Sequence, residues 1–82
     1  MARHLELTWT NLPPQSALNG RTLSELRIRT TTGASVVGII RDDALVANPA
    51  ADMRLQGGDL VAVLGTRDQI ERFEQATRVG AA

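Results

Sequence analysis

The stretch MRLQGGDLVAVLGT, residues 53–66, sets the fold of this 82-residue chain. Gly57 and Gly58 stand before an apolar, β-branched run, whereas a phosphate-binding loop places its glycines after a strand and before a helix. No Lys-Ser or Lys-Thr pair follows the two glycines. The stretch therefore predicts a tight turn that leads into a buried strand over 59–64, with Asp59 hydrogen-bonded to the backbone of that turn.

A helix is predicted directly after this strand. Thr66 and Gln69 have the spacing of a capping box, which satisfies the unpaired N–H groups at the start of a helix. Ile70 and Phe73 recur at helical spacing and predict an apolar stripe that faces the core. We expect Arg78 in the last turn of this helix.

The N-terminal segment HLELTWT, residues 4–10, alternates apolar and polar side chains. This alternation predicts a half-buried strand whose apolar face carries Leu5, Leu7 and Trp9. We expect Trp9 to be a core residue. The strand ends before Pro13 and Pro14, because proline cannot donate a hydrogen bond to a neighbouring strand.

A short helix is predicted over 22–28. Thr22 and Glu25 form a second capping box, and the apolar residues that follow recur at helical spacing. The segment RTTTG closes this helix, with Gly33 available for a left-handed conformation.

A hairpin is predicted next, within ASVVGIIRDDALVAN at residues 34–48. The apolar, β-branched run ASVVGIIR predicts a strand, Asp42 and Asp43 predict a turn, and ALVAN predicts the second arm. Asn48 and Pro49 mark a further turn.

The order β-α-β-β-β-α predicts one α+β domain over 4–78. It has two layers, with both helices on one sheet face, and residues 1–3 and 79–82 are expected to be frayed termini. The segments 36–40 and 60–64 are apolar on both faces, although a strand that is wet on one side should alternate. A second copy of the chain would cover the other face, so we expect a two-fold homodimer.

Composition excludes several function classes. Nine basic residues, all arginine, balance nine acidic residues, so the net charge gives no general attraction to DNA or RNA. The chain has no cysteine and one histidine, His4, which leaves no ligand cluster for a metal and no triad context for an enzyme. No apolar run approaches the ~20 residues that span a bilayer. We therefore expect a soluble, cytoplasmic, non-enzymatic protein without a catalytic cofactor.

Three arginines are candidates for anion recognition. Arg27 and Arg29 lie at the end of the first predicted helix, and Arg41 lies at the end of a predicted strand. They are either solvated surface charges or phosphate ligands at the rim of a dimer seam, since arginine offers a planar donor fork to phosphate.

These features together resemble a known family, the C-terminal regulatory domain of the proteins that regulate the conductance of potassium, called RCK_C or TrkA_C. The resemblance covers about Leu5 to Ala76. It rests on the joint spacing of Gly20 with TLSEL, Gly33 with VVGIIR, ANPAADMRLQGGDLVAVLGT, and a last helix that carries Ile70 and Phe73.

The resemblance implies a βαβββα fold that dimerises and senses a ligand for a potassium channel, a potassium uptake system or a cation/proton antiporter. We expect a stand-alone subunit that acts in trans, peripheral to the inner face of the cell membrane through its transporter partner. The alternative is a structural module that dimerises a transporter without any ligand.

In a subset of this family, the cleft between two such domains binds cyclic di-AMP. Transferred to this chain, the resemblance implies that Arg29 binds phosphate and that apolar residues hold adenine. Two residues of this chain differ from the pattern expected of the members that bind cyclic di-AMP. Arg27 replaces an acidic or neutral residue, and Ser35 replaces an asparagine. The implied ligand-binding residues are Ile28, Arg29, Ser35, Val36, Val37, Asn48 and Pro49.

Overall fold

Four strands and three short helices form the fold within residues 4–78, the part of the chain that the computed structural model describes. The predicted frayed termini, residues 1–3 and 79–82, lie outside the described residues. In chain order the elements are β1 (Glu6–Asn11), α1 (Leu23–Leu26), α2 (Ile28–Thr32), β2 (Ser35–Arg41), β3 (Ala44–Ala47), β4 (Leu60–Gly65) and α3 (Arg67–Ala76).

The strands form one antiparallel sheet in the order β1-β4-β2-β3. The predicted hairpin turn is confirmed: Asp42 and Asp43 have φ values of 51° and 62°, as a two-residue turn between twisted strands requires. A bulge interrupts the pairing of β2 with β4 between Val36 and Gly38. This bulge lies beside the cleft described below.

The predicted turn before β4 is also confirmed, although the strand begins one residue later, at Leu60. Gly58 has a φ of +91°, and a Cβ on Gly57 would lie 2.7 Å from the Cα of Pro14. The Asp59 carboxylate accepts a hydrogen bond of 2.8 Å from the backbone N–H of Gln56. Both glycines are therefore required by conformation or by close packing.

The last helix agrees with its predicted start. The Thr66 hydroxyl accepts from the Gln69 N–H, and the Gln69 side chain accepts from the Thr66 N–H. Ile70 and Phe73 are buried against the sheet. The helix ends at Ala76, so the predicted place of Arg78 in its last turn is wrong.

The single helix predicted over 22–28 is wrong, because two one-turn helices occupy this region. Arg27 adopts a left-handed conformation, with a φ of 49°, and separates α1 from α2. The chain then stays helical to Thr32, whose hydroxyl donates a 2.7 Å hydrogen bond to the carbonyl of Ile28. Gly33 ends α2 with a φ of 82°, in the left-handed conformation predicted for it.

The core lies on the side of the sheet that the helices cover, around Phe73, Ile39, Val61 and Val63. Trp9 is not part of it: its side chain is 45% exposed in the single chain. Successive strand residues point to opposite faces, and β1 presents its apolar residues to the face away from the helices. The prediction that Trp9 is a core residue is therefore wrong, whereas the one for Phe73 is confirmed.

Candidate functional site

A cleft of about 430 Å³ lies on the helix side of the sheet, at the end where β2 begins. It is bounded by α1, α2, the start of β2 and the loop that follows β3. Its lining residues are Leu23, Ser24, Arg27, Ile28, Arg29, Thr30, Ala34, Ser35, Val36, Pro49 and Ala51.

Five of the seven residues named from the sequence line this cleft: Ile28, Arg29, Ser35, Val36 and Pro49. Val37 and Asn48 lie beside it and do not line it. They are joined by a hydrogen bond of 2.9 Å from the Asn48 N–H to the Val37 carbonyl. This bond ties the end of the β2–β3 hairpin to the bulged start of β2.

Local backbone geometry shapes the cleft. The left-handed Arg27 redirects the chain between α1 and α2, so that both helices border the same space. The loop after β3 is fastened to α1 by two backbone hydrogen bonds, from Ser24 to Ala51 at 2.8 Å and from Leu23 to Met53 at 3.0 Å. These bonds bring Pro49 and Ala51 to the wall opposite α2.

The cleft is positively charged with an apolar wall. Arg27 and Arg29 are both exposed, and neither forms an ion pair within residues 4–78. No carboxylate belongs to the lining. Ile28, Val36 and Pro49 supply the apolar surface. Such a cleft suits a ligand that joins a phosphate to a flat apolar group.

The carboxylate of α1 is engaged away from the cleft. Glu25 accepts hydrogen bonds of 2.9 Å from both the backbone N–H and the hydroxyl of Thr22. These bonds, the backbone one foremost, lower the pKa of Glu25 below its usual 4.5, and nearby Arg21 and Arg54 lower it further. Glu25 therefore stays ionised at neutral pH and caps the helix.

Arg41 does not line the cleft, and its side chain is bound to a buried carboxylate. Its Nε and Nη2 atoms each donate a 2.7 Å hydrogen bond to the carboxylate of Asp59. Nη2 also donates to the carbonyl of Arg54 at 2.8 Å. The pair raises the pKa of Arg41, foremost through the hydrogen bond to Asp59.

Residues 7–77 match the family model of the TrkA-C domain. The chain belongs to this family. Among curated proteins, this TrkA-C domain is similar to the ammonium/H⁺ antiporter subunit AmhM of Alkalihalophilus pseudofirmus. The two are 23% identical over 73 residues, which cover 89% of this chain and 44% of AmhM. The chain spans less than half the length of the curated relatives that it matches.

Solved structures share the fold of this TrkA-C domain. The RCK_C domain dimer of S. agalactiae BusR, in complex with c-di-AMP, matches with a TM-score of 0.81 and 21% identity, over 87% of this chain and 93% of that one. The RCK C domain of the potassium transport protein KtrA, also in complex with c-di-AMP, matches with a TM-score of 0.71 and 21% identity, over 87% of this chain and 79% of that one. The predicted α+β class and family are confirmed.

The described part of the chain holds neither a cluster of metal-ligating side chains nor a membrane-spanning helix. Within residues 4–78, no group of three or more His, Cys, Asp or Glu side chains could hold a metal ion. In the same range, no helix has the length and apolar character needed to cross a membrane.

Sequence reasoning missed several lining residues of this TrkA-C domain. Ser24 and Thr30 lie on either side of the bend at Arg27, and both line the cleft. Ala51 reaches it because its loop is hydrogen-bonded to α1. Neither the bend nor the loop docking has a local sequence signal, whereas the arginine pair at 27 and 29 was visible as a candidate for anion binding.

Proposed function

We propose that this chain is a non-enzymatic regulatory subunit of a monovalent-cation (K⁺/Na⁺) transport system, with a cation/proton antiporter as its partner. It senses cyclic di-AMP in the cleft, where two copies of the chain meet. It works in the cytoplasm, peripheral to the inner face of the membrane through the transporter.

The composition of the cleft carries this proposal. A cyclic dinucleotide has two phosphates and two purines, and two symmetry-related clefts would offer two pairs of arginines and two apolar walls. Arg29 binds a phosphate, and Ile28 with Val36 packs against adenine. Ser35 donates its hydroxyl to the base. AmhM, a subunit of an antiporter, and the c-di-AMP complexes of BusR and KtrA support the same assignment.

Val37 and Asn48, two of the proposed ligand-binding residues, do not line the cleft and instead support its shape. Val37 and Asn48 hold the bulge and the hairpin end through their 2.9 Å hydrogen bond, which keeps Pro49 at the edge of the cleft. Regulation then requires that the ligand bind two conformations of the assembly with different affinities.

Calorimetric titration with cyclic di-AMP, cyclic di-GMP and ATP tests the ligand. We expect micromolar or tighter binding of cyclic di-AMP, with one ligand for every two chains. The Arg29→Ala variant should weaken binding at least about tenfold, because a hydrogen bond to a charged group contributes roughly 1.5–3 kcal/mol. Arg72→Ala is the matched control, since Arg72 is exposed on α3, away from the cleft.

Flat traces for every nucleotide would contradict ligand sensing. They would favour the second candidate function, a module that only dimerises a potassium channel or uptake transporter. One observation favours this alternative: the apolar sheet face away from the cleft offers a pairing surface that needs no ligand.

A further inference from the structure

Arg27 has a backbone conformation that does not suit its residue type. Within residues 4–78, the non-glycine residues with a positive φ are Arg27, Asp42, Asp43 and Asn48. Aspartate and asparagine adopt the left-handed conformation readily, whereas other side chains do so at a cost. Glycine or asparagine would therefore hold position 27 with less strain. Strained residues of this kind cluster at functional sites.

The bend at position 27 does not depend on the arginine side chain. The backbone N–H of Arg27 donates to the Leu23 carbonyl at 3.2 Å, and its carbonyl accepts from the N–H and the hydroxyl of Thr31 at 2.9 and 3.0 Å. An asparagine offers the same backbone groups. The Arg27 side chain is exposed, and within the described residues it forms no ion pair. It is therefore free to bind a ligand.

The cleft carries more positive charge than a phosphodiester needs. Arg27 and Arg29 both belong to its lining, on either side of Ile28 along the chain, and no carboxylate of the lining neutralises either of them. With one cyclic dinucleotide for two chains, each cleft receives one adenine and one phosphodiester of a single negative charge. Arg29 alone balances that charge, so Arg27 leaves one positive charge in excess for each chain.

We propose that Arg27 determines the specificity of the cleft and that it selects a phosphate monoester over a phosphodiester. A monoester carries nearly two negative charges at neutral pH, and its additional anionic oxygen can accept from a second guanidinium fork. Arg29 binds the phosphate of either ligand. This inference rests on the proposed function, because it uses the same cleft and the same apolar wall for adenine.

The ligand class is an adenine nucleotide that ends in a phosphate monoester. Its nearest relative to cyclic di-AMP is the linear diadenylate with a 5′-phosphate, which forms when water opens one of the two phosphodiester bonds. The two molecules share both adenines and differ in one bond and about one negative charge. They are therefore a matched pair of probes for the excess charge at Arg27.

The test is calorimetric titration of the whole chain and its Arg27→Asn variant with cyclic di-AMP and with the linear diadenylate. Asparagine tolerates the left-handed conformation, so the variant removes the charge and keeps the bend. We expect the dissociation constant of the linear ligand to rise at least about tenfold, as loss of a charge-assisted hydrogen bond predicts. The constant for cyclic di-AMP should stay within about threefold. The greater flexibility of the linear ligand affects both proteins alike, so it cancels in this comparison.

Two further variants are controls. Arg72→Asn removes the same charge from the exposed surface of α3, outside the cleft lining, and should leave both dissociation constants within about twofold. Arg29→Ala should weaken both ligands at least about tenfold. In urea denaturation, the midpoint of Arg27→Asn should equal or exceed that of the wild-type chain, because the substitution relieves backbone strain.

The outcomes separate this inference from the proposed function. If neither ligand binds the wild-type chain, the proposed function is overturned and this inference with it. If cyclic di-AMP binds and Arg27→Asn changes both dissociation constants by the same factor, only the specificity role of Arg27 is overturned. A variant that is clearly less stable than the wild-type chain would also overturn that role, because Arg27 would then support the fold.

Discussion

Removing one partner of the Arg41–Asp59 ion pair should destabilise the fold more than removing a partner from any other ion pair in the described residues. The Asp59 side chain is 1% exposed, and the Arg41 side chain is 28% exposed. Arg41→Met therefore leaves a buried carboxylate whose charge has only the Gln56 N–H as a partner. Breaking a buried pair from one side costs about 3–5 kcal/mol.

This loss is large for so small a chain. At about 0.05–0.15 kcal/mol per residue, a domain of this length has a free energy of unfolding of roughly 4–12 kcal/mol. A loss of about 3 kcal/mol lowers the melting temperature by at least about 12 °C in a domain of this size. The variant should remain folded unless the wild-type free energy of unfolding lies near the lower end of that range, at about 3–5 kcal/mol.

Urea denaturation, followed by circular dichroism, measures the loss in the free energy of unfolding. All measurements use one fixed protein concentration, because a chain that associates gains stability as its concentration rises. Arg54→Met is the control: Arg54 lies 3.8 Å from Glu25 and donates a 2.7 Å hydrogen bond to the Gly20 carbonyl, with its side chain 63% exposed. Exposed contacts of this kind contribute about 0–1 kcal/mol each. If Arg41→Met and Arg54→Met cost the same with unchanged denaturant dependence, the reasoning about Asp59 is refuted.

Three further predictions concern local structure. Gly57→Ala should destabilise the fold by about 1–3 kcal/mol, measured by urea denaturation, because its Cβ would clash with Pro14 and overpacking has that cost. Thr66→Ala should cost about 1 kcal/mol by loss of the α3 cap, and an unchanged midpoint would contradict the capping role. An NMR titration should place the pKa of Glu25 below 4.5, because hydrogen bonds from Thr22 favour its ionised form. The stabilisation of the fold by ionised Glu25 is therefore present above pH 4.5 and disappears as the pH falls through the folded-state pKa. A measured pKa at or above 4.5 would contradict the capping role of Glu25.

Features set by neighbouring residues could be predicted from the sequence. Both capping boxes form between residues three apart, and the Asp42–Asp43 turn joins directly paired strands. The lining of the cleft by Ile28, Arg29, Ser35, Val36 and Pro49 came from the resemblance to a family. Composition and spacing alone had identified only the arginines.

Features set by tertiary contacts could not be predicted. The left-handed conformation at position 27 could not be predicted, because the residue there is arginine and not glycine or asparagine. The three threonines that follow favour strands over helices, so they do not predict α2. The structure holds this bend because α1 is hydrogen-bonded to the loop at Ala51 and Met53. The pairing of Arg41 with Asp59 likewise joins residues 18 positions apart, which no local pattern reveals.

The orientation of β1 carries the main consequence for assembly. Alternation shows that the two faces of a strand differ, but it does not say which face meets the helices. Here the helix side is filled: Phe73, Val61 and Val63 are each 0% exposed, and a close-packed core has no room for an indole. Trp9 must therefore face outward. The core of this chain is filled without Trp9, its largest side chain. Trp9 lies instead on the uncharged sheet face away from the helices, and this face is a surface suited to a partner.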